Sequence, residues 1–457
     1  MNSFIEWLNK HLVPVAAKIG AVRWLIALRD AFIAIMPAMM AGSIATVLNA
    51  LVRDIPTKFG WMGIVNSMQW LIGINAMVWT GTLAILGLIF SFTFGYQLAI
   101  QYKVEPVTGG IVTLGTFIMS LPQNFTGTLT STLTSTLSKG ATKILTDSGM
   151  AVAGKKVTAW GYFNFNTYFG SYGFFTVMIL GAIASAVYIA LMKKHITIKM
   201  PDSVPPAVAN AFTGVIPAAA AFYVVGIINW IFSKFNTTVI EWIAKIIQEP
   251  LLNMSQGYGA VLLMTLLVQV FWFFGIHGSN VLAPILDGIW LTAQLANVNA
   301  YQAGKALPYV WTRNCFDLYA WIGGAGSTLL LLVAILVFSK RDDQRSVAKL
   351  AIGPGFFNIN EPVMFGMPIV LDPIYFIPFV LAPVVTVSIA YAALSAGWVA
   401  PITNNIVWSM PPIMNALVAT MDWRSVVLQL FNAAVAFAIY VPFVKAANKI
   451  KPAAIGE

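Results

Sequence analysis

Charge is what this sequence has least of. Asp, Glu, Lys and Arg make up 9% of its 457 residues, against about 25% in an ordinary soluble domain. Hydrophobic residues make up 59%. A water-soluble chain of that composition would expose large apolar patches and aggregate, so the composition points to a membrane. Cysteine is nearly missing too. Cys315 alone excludes an intrachain disulfide framework and any cysteine-rich metal site. Histidine is almost as scarce: His11, His195 and His277 are too few and too scattered for a metal cluster, and neither a metal nor a cofactor is expected. No cleavable signal-peptide pattern opens the chain. The net charge of +10 falls between apolar runs, where cytoplasmic loops face anionic lipid. No basic face is interleaved with aromatics, so lipid and not nucleic acid is the expected partner.

Long apolar runs, by contrast, are abundant. A spanning helix needs about 20 mostly apolar residues, and ten candidates lie near 31–52, 71–92, 104–121, 171–192, 211–232, 257–276, 281–300, 317–339, 373–395 and 425–444. The third is short, and the seventh carries Asp287 and other polar groups. Ten crossings put both termini on one side. The clusters KKHITIK (193–199), KRDDQR (340–345) and the basic tail make that side the cytoplasm by the positive-inside bias. Residues 1–20 carry Phe4, Ile5, Leu8, Leu12 and Val15 at helical spacing, which fits an interfacial helix or one packed on the bundle. The Ser/Thr-rich stretch 122–160 fits an external loop with some strand character. PDSVPP (201–206) is the best domain boundary. It separates an N-terminal scaffold over 21–200 from a C-terminal domain over 201–457.

Three stretches cannot be straight helices. Residues 351–373, AIGPGFFNINEPVMFGMPIVLDP, are apolar enough for the bilayer yet hold Pro354, Pro362, Pro368 and Pro373 together with Gly353, Gly355 and Gly366. Proline in a helix interior costs about 3 kcal/mol, and irregular backbone cannot face lipid. A re-entrant hairpin lining a wet cavity is the remaining solution, and such broken helices are where transporters build substrate sites. Glu361 lies in this stretch beside Asn358 and Asn360. A carboxylate at that depth must meet a cavity, a partner or a ligand, unless it only caps or staples the hairpin. In FWFFGIHGSNVLAP (271–284), His277 lies between Gly275 and Gly278. The glycines permit unusual backbone angles and close approach. The imidazole is either a ligand-facing group or a satisfied core histidine. In 398–423, Pro401, Pro411 and Pro412 break the helix while Asn404, Asn405 and Trp408 offer the amides and the flat face that sugars use.

These stretches carry a family resemblance. GIHGSN (275–280), FNINEPVMFGMPIVLDP (357–373), PDSVPPAV (201–208), WSMPP (408–412) and AAKIGAVRWLIALRDAFIAIMPAMMAGS near the start resemble the IIC components of the lactose/cellobiose/diacetylchitobiose phosphotransferase family. The resemblance spans nearly the whole chain. It implies an all-α polytopic protein of the bacterial cytoplasmic membrane, with about ten transmembrane helices and two re-entrant hairpins. The implied assembly is a homodimer, with the 21–200 scaffold dimerising and the 201–457 domain binding sugar and moving by an elevator-type shift. The implied function is a sugar permease for a disaccharide, cellobiose or diacetylchitobiose first and lactose third. His277 and Glu361 would meet the hydroxyl that is phosphorylated, and the binding site extends to Asn280, Asn358, Trp408 and Trp272. The chain ends soon after its last apolar run, so the expected phosphoryl donor is a separate IIB phosphocysteine protein served by IIA. The chain itself carries no phosphorylated residue, and Cys315 is expected to be structural. Phosphorylation would then add charge in a polar but uncharged cavity and make release one-way. The competing expectation is an ion-coupled sugar symporter, kept open by Asp287, Asp317 and Asp372, all of which can be drawn at span ends.

Overall fold

The computed structural model describes residues 22–128, 142–143, 145–146, 150–153, 156–160, 168–201, 204–367, 369 and 372–448. The helix expected over 1–20, residues 129–141 of the Ser/Thr-rich stretch and the basic tail beyond 448 lie outside the described residues. Within them, seven helices are long and apolar enough to cross a membrane: Arg23–Thr57, Gln69–Tyr102, Ser171–Lys193, Ala211–Ser233, Arg313–Phe338, Ile374–Ser395 and Trp423–Ala447. An eighth crossing results if Val239–Ser255 and Tyr258–Phe273, bent by 77°, count as one. The run expected at 104–121 is the shorter apolar helix Pro106–Met119. The run expected at 281–300 is helical but polar, as Asp287 foreshadowed, and it is π-helical over Leu286–Leu291. The chain is therefore an all-α, multi-span membrane protein.

The chain forms two compact units, one of Met1–Leu86 with Glu249–Glu457 and one of Gly87–Gln248. The first spanning helix thus groups with the C-terminal half of the sequence, and PDSVPP falls inside the second unit. In Gly87–Gln248, helices approach closely through small residues. A Cβ on Gly95 would collide with the Gly109 carbonyl and the Thr113 hydroxyl, the kind of contact that replaces hydrophobic drive between helices in lipid. The same unit carries the strand character expected of 122–160, as an antiparallel sheet in which Lys156–Trp160 pairs with both Asn124–Thr128 and Met150–Ala153.

The larger unit holds the polar interior. Its helices are interrupted where the sequence places glycine and proline. Asp342–Phe356 carries Pro354 in its last turn and ends before Asn358. The short helix Glu361–Gly366 follows, with Pro362 in its first turn, where a missing N–H costs nothing. Ile374–Ser395 begins where Asp372 accepts a hydrogen bond from the Ile374 N–H at 2.7 Å, so this carboxylate is a helix cap at a span end. A further break was not foreseen. The span expected over 317–339 is interrupted at 321–327, where Gly323, Gly324 and Gly326 have φ of 80°, 97° and 80°. A Cβ on Gly324 would meet the Asn360 side chain, so this glycine turn presses directly on the loop that carries Glu361.

Candidate functional site

The broken segments converge on one cavity of about 360 Å³, a size at the low end for small-molecule sites. Its wall includes His277, Asn280, Asn358, Glu361, Trp408 and Trp272. The structure thus brings all six residues singled out in the sequence to one place.

Backbone chemistry sets the histidine. Gly275 adopts φ 75°, which ends the incoming helix. Gly278 lies so close to the Val268 carbonyl that a Cβ would collide with it. Between them His277 caps the short helix Gly278–Val281: its Nδ1 accepts the Asn280 backbone N–H at 3.2 Å. An acceptor at Nδ1 leaves the ring proton of the neutral imidazole on Nε2. That nitrogen stands 3.5 Å from Glu361 Oε1. The ring also rests on Trp272, with centroids 4.3 Å apart. His277 and Glu361 remain 36% and 46% exposed, so both polar groups face the open cavity. Trp272 is buried at 1% exposure and serves as the floor under the imidazole.

Asn358 is placed differently from what its amide suggested. It takes a left-handed φ of 62°, a conformation asparagine tolerates well. Its Oδ1 accepts the Gly323 N–H at 2.8 Å, and its Nδ2 donates to the Trp408 carbonyl at 2.6 Å. Both ends of the side chain are thus engaged with backbone, tying the glycine turn and the proline-rich loop to the loop that bears Glu361. Asn360 does likewise, donating to the Ala325 carbonyl at 3.2 Å. Trp408 is 41% exposed and lines the cavity. Asn280 is exposed on the same wall. Cys315 is fully buried, and its sulfur accepts the Thr312 N–H at 3.4 Å.

The sequence did not disclose a second charged cluster in the wall. Arg313 Nε donates to Asp287 Oδ1 at 3.0 Å, and Nη1 donates to both oxygens of Asp317 at 3.1 and 3.0 Å. Its guanidinium lies over the Trp321 ring at 5.5 Å. Asn314 donates to Asp317 at 3.0 Å, Gln294 donates to Asn314 and Asn405, and Asn405 donates to Ser43 at 2.7 Å. Asp287 and Asp317, drawn at span ends from the sequence, are therefore paired in the cavity wall. Met36, Met39 and Ser43 of the first spanning helix also line it. Three carboxylates and one guanidinium make the cavity net negative while His277 is neutral, which replaces the expectation of an uncharged chamber.

Comparison with known proteins gives a consistent result. The sequence profile described as "Phosphotransferase system, EIIC" matches residues 29–383. A cellobiose-specific EIIC component of the phosphotransferase system of Lactococcus lactis subsp. lactis (strain IL1403) is 43% identical, covering 99% of both chains. The oligo-beta-mannoside-specific EIIC component of Bacillus subtilis (strain 168) is 34% identical over 97% of this chain and 94% of its own. Among solved structures, the transporter ChbC, the IIC component of the N,N'-diacetylchitobiose-specific phosphotransferase system, superposes with a TM-score of 0.85 at 33% identity, covering 97% of this chain and 98% of that one.

Proposed function

This chain belongs to the phosphotransferase system EIIC family, and from that premise we propose that it carries a cellobiose-type disaccharide whose receiving hydroxyl is held between His277 and Glu361. As the sugar-specific membrane component, it works with IIA and IIB proteins and a sugar substrate. With the family established, the ion-coupled symporter is set aside. Cellobiose is the favoured cargo because relatives named for it align over nearly their whole length. Diacetylchitobiose follows, and lactose is third.

The observation that carries the proposal is the 3.5 Å approach of His277 Nε2 to Glu361 Oε1 at an open cavity wall. In phosphoryl transfer, positioning and electrostatics do most of the catalysis. The sugar hydroxyl oxygen forms a bond to phosphorus as the phosphorus–sulfur bond to the IIB cysteine breaks. The hydroxyl proton passes to Glu361, and the thiolate leaves on IIB. His277, with its ring proton on Nε2, steers the carboxylate and donates toward the hydroxyl oxygen. Trp408 offers its face to the CH side of a sugar ring. Asn358 acts through the backbone it ties. Asn280 reaches the same cavity and completes the polar rim. The phosphorylated product gains negative charge in a net negative cavity, so repulsion drives it out and makes uptake one-way.

Within the same proposal the protein works as a homodimer in the bacterial cytoplasmic membrane, with both termini in the cytoplasm and its apolar surface in lipid. The scaffold and dimerising role expected of 21–200 falls mainly on Gly87–Gln248. The binding role expected of 201–457 falls on the unit that holds the cavity, which moves in an elevator-type step. The test is phosphorylation of cellobiose by purified phospho-IIB in vesicles containing the Glu361→Gln protein. Loss of a general base lowers the rate roughly 100- to 10,000-fold. Full-rate phosphorylation by this variant would remove Glu361 from the mechanism.

A further inference from the structure

The geometry points to a second sugar-binding chamber, separate from the cavity at His277 and Glu361 and stacked on it along the first spanning helix: Asn49, Asn75 and Asn404 hold a neutral sugar there before it reaches the cavity. The inference rests on the functional reading above, which makes the ligand a sugar and puts both termini in the cytoplasm.

The chamber measures about 480 Å³, inside the range of small-molecule sites. All of its lining residues belong to the larger unit. Asn49, Asn75 and Asn404 are 8%, 4% and 3% exposed, and each spends only part of its amide on the protein. Asn75 Nδ2 donates to Asn49 Oδ1 at 2.9 Å, and Asn404 Nδ2 donates to the Val418 carbonyl at 2.9 Å. Among the described residues, Asn49 Nδ2, Asn75 Oδ1 and Asn404 Oδ1 take part in no hydrogen bond. Leaving buried amides half-paired is costly, so these atoms call for a partner inside the chamber. One donor and two acceptors suit hydroxyl groups, which both donate and accept. Thr46 gives its own hydroxyl proton to the Gly42 carbonyl at 2.9 Å, so its oxygen is a further acceptor.

The same lining argues against other ligand classes. Its charged residues, among those described, are Arg53 and Asp54, and they pair with each other at 2.6 Å. No net charge is left to hold an ion. A lipid chain in the chamber would strand the amide atoms without partners. Trp79 and Tyr301 add aromatic rings to the wall, as suits a sugar.

Placement makes the chamber a station on a path. Along the first spanning helix, Met36, Met39 and Ser43 line the cavity, while Thr46, Asn49 and Arg53 line the chamber. Ser43 and Asn49 are six residues apart, an advance of about 9 Å. Asn404 and Asn405 divide in the same way, the first lining the chamber and the second the cavity. Asn405 Nδ2 donates to Ser43 Oγ at 2.7 Å, and this bond lies in the partition between the two spaces. With both termini in the cytoplasm, Arg53 stands at the outer end of its helix, so the chamber lies on the outer side of the cavity. A further space of about 680 Å³ shares Arg53, Asp54 and Tyr301 with it and continues the path outward.

The test uses full-length protein carrying Gln302→Cys, in intact cells that lack the IIB donor. Gln302 is an exposed residue of the chamber wall. The native Cys315 is fully buried, so labelling by a membrane-impermeant maleimide reports position 302. Cellobiose outside the cell slows the labelling. Asn75→Ala raises the half-protecting concentration roughly fivefold, the worth of one neutral hydrogen bond. Thr46→Val keeps the side-chain shape and raises it as well. The His277→Ala/Glu361→Gln double variant leaves it unchanged. Labelling that cellobiose does not slow, as with a chamber that holds water only, overturns the inference. So does a half-protecting concentration that moves in the double variant and in neither chamber variant. In both cases cellobiose binding to wild-type protein in calorimetry keeps the functional reading standing. If wild-type protein binds no cellobiose, that reading falls and this inference falls with it.

Discussion

The two charged clusters in the cavity wall are built on opposite plans. In one, His277 and Glu361 are more than a third exposed and meet across a single 3.5 Å contact. In the other, Arg313, Asp287 and Asp317 are 10–22% exposed and share several hydrogen bonds of 3.0–3.1 Å. The first is loosely held, which suits the proposed role of receiving a substrate hydroxyl and a phosphoryl group between its members. The second is braced: charges drawn out of water are compensated on the spot, as they must be at that depth. Two differently restrained clusters thus share the wall of one chamber.

That contrast yields a graded series of stability effects. Arg313→Ala strikes the braced cluster hardest, because it leaves Asp287 and Asp317 facing each other without a cation. Unfolding in detergent should show a loss of about 3 kcal/mol. An unchanged melting temperature would mean that the network is not holding the wall. Asn358→Ala comes next. It removes both backbone tethers and puts a left-handed φ on alanine, and the expected loss is about 2 kcal/mol. Asn358→Gly relieves the backbone strain but not the lost tethers, so it should fall between alanine and wild type. Glu361→Gln tests the loosely held cluster. With one long contact to lose, its stability should move by less than about 0.5 kcal/mol even as phosphorylation collapses. A large stability loss would make Glu361 a staple and erase the distinction. Asp343→Ala, which breaks the Arg341–Asp343 pair at 2.5 Å on the surface, is a control expected to be as small as Glu361→Gln, at most about 0.5 kcal/mol.

Much of the loosely held cluster was legible in the sequence. Glycine and proline mark breaks locally, and three of those named have a local reason in the structure: Gly275 for its positive φ, Gly278 for its approach to Val268, and Pro362 for the first turn of a short helix. Glu361 and His277 stood out because charge and imidazole are rare in apolar runs. The braced cluster was not legible. Asp287, Arg313 and Asp317 come from two segments, each near the edge of an apolar run, where a charge is unremarkable. Only packing shows that they share one wall. The glycine turn at 321–327 was hidden for a related reason: its flanks are apolar enough to look like one continuous span. Asn358 was expected at the site, and it does line the cavity. Its task, however, depends on which carbonyl and N–H its amide meets across 35 and 50 residues of chain, and no local pattern encodes that.

The most direct test of the central claim compares the natural disaccharide with an analogue lacking only the hydroxyl that is phosphorylated. Binding of each is measured to wild-type protein and to the His277→Ala/Glu361→Gln double variant. If His277 and Glu361 hold that hydroxyl, wild type prefers the complete sugar roughly tenfold and the double variant binds both alike. Equal binding of the two sugars by wild-type protein would contradict the account.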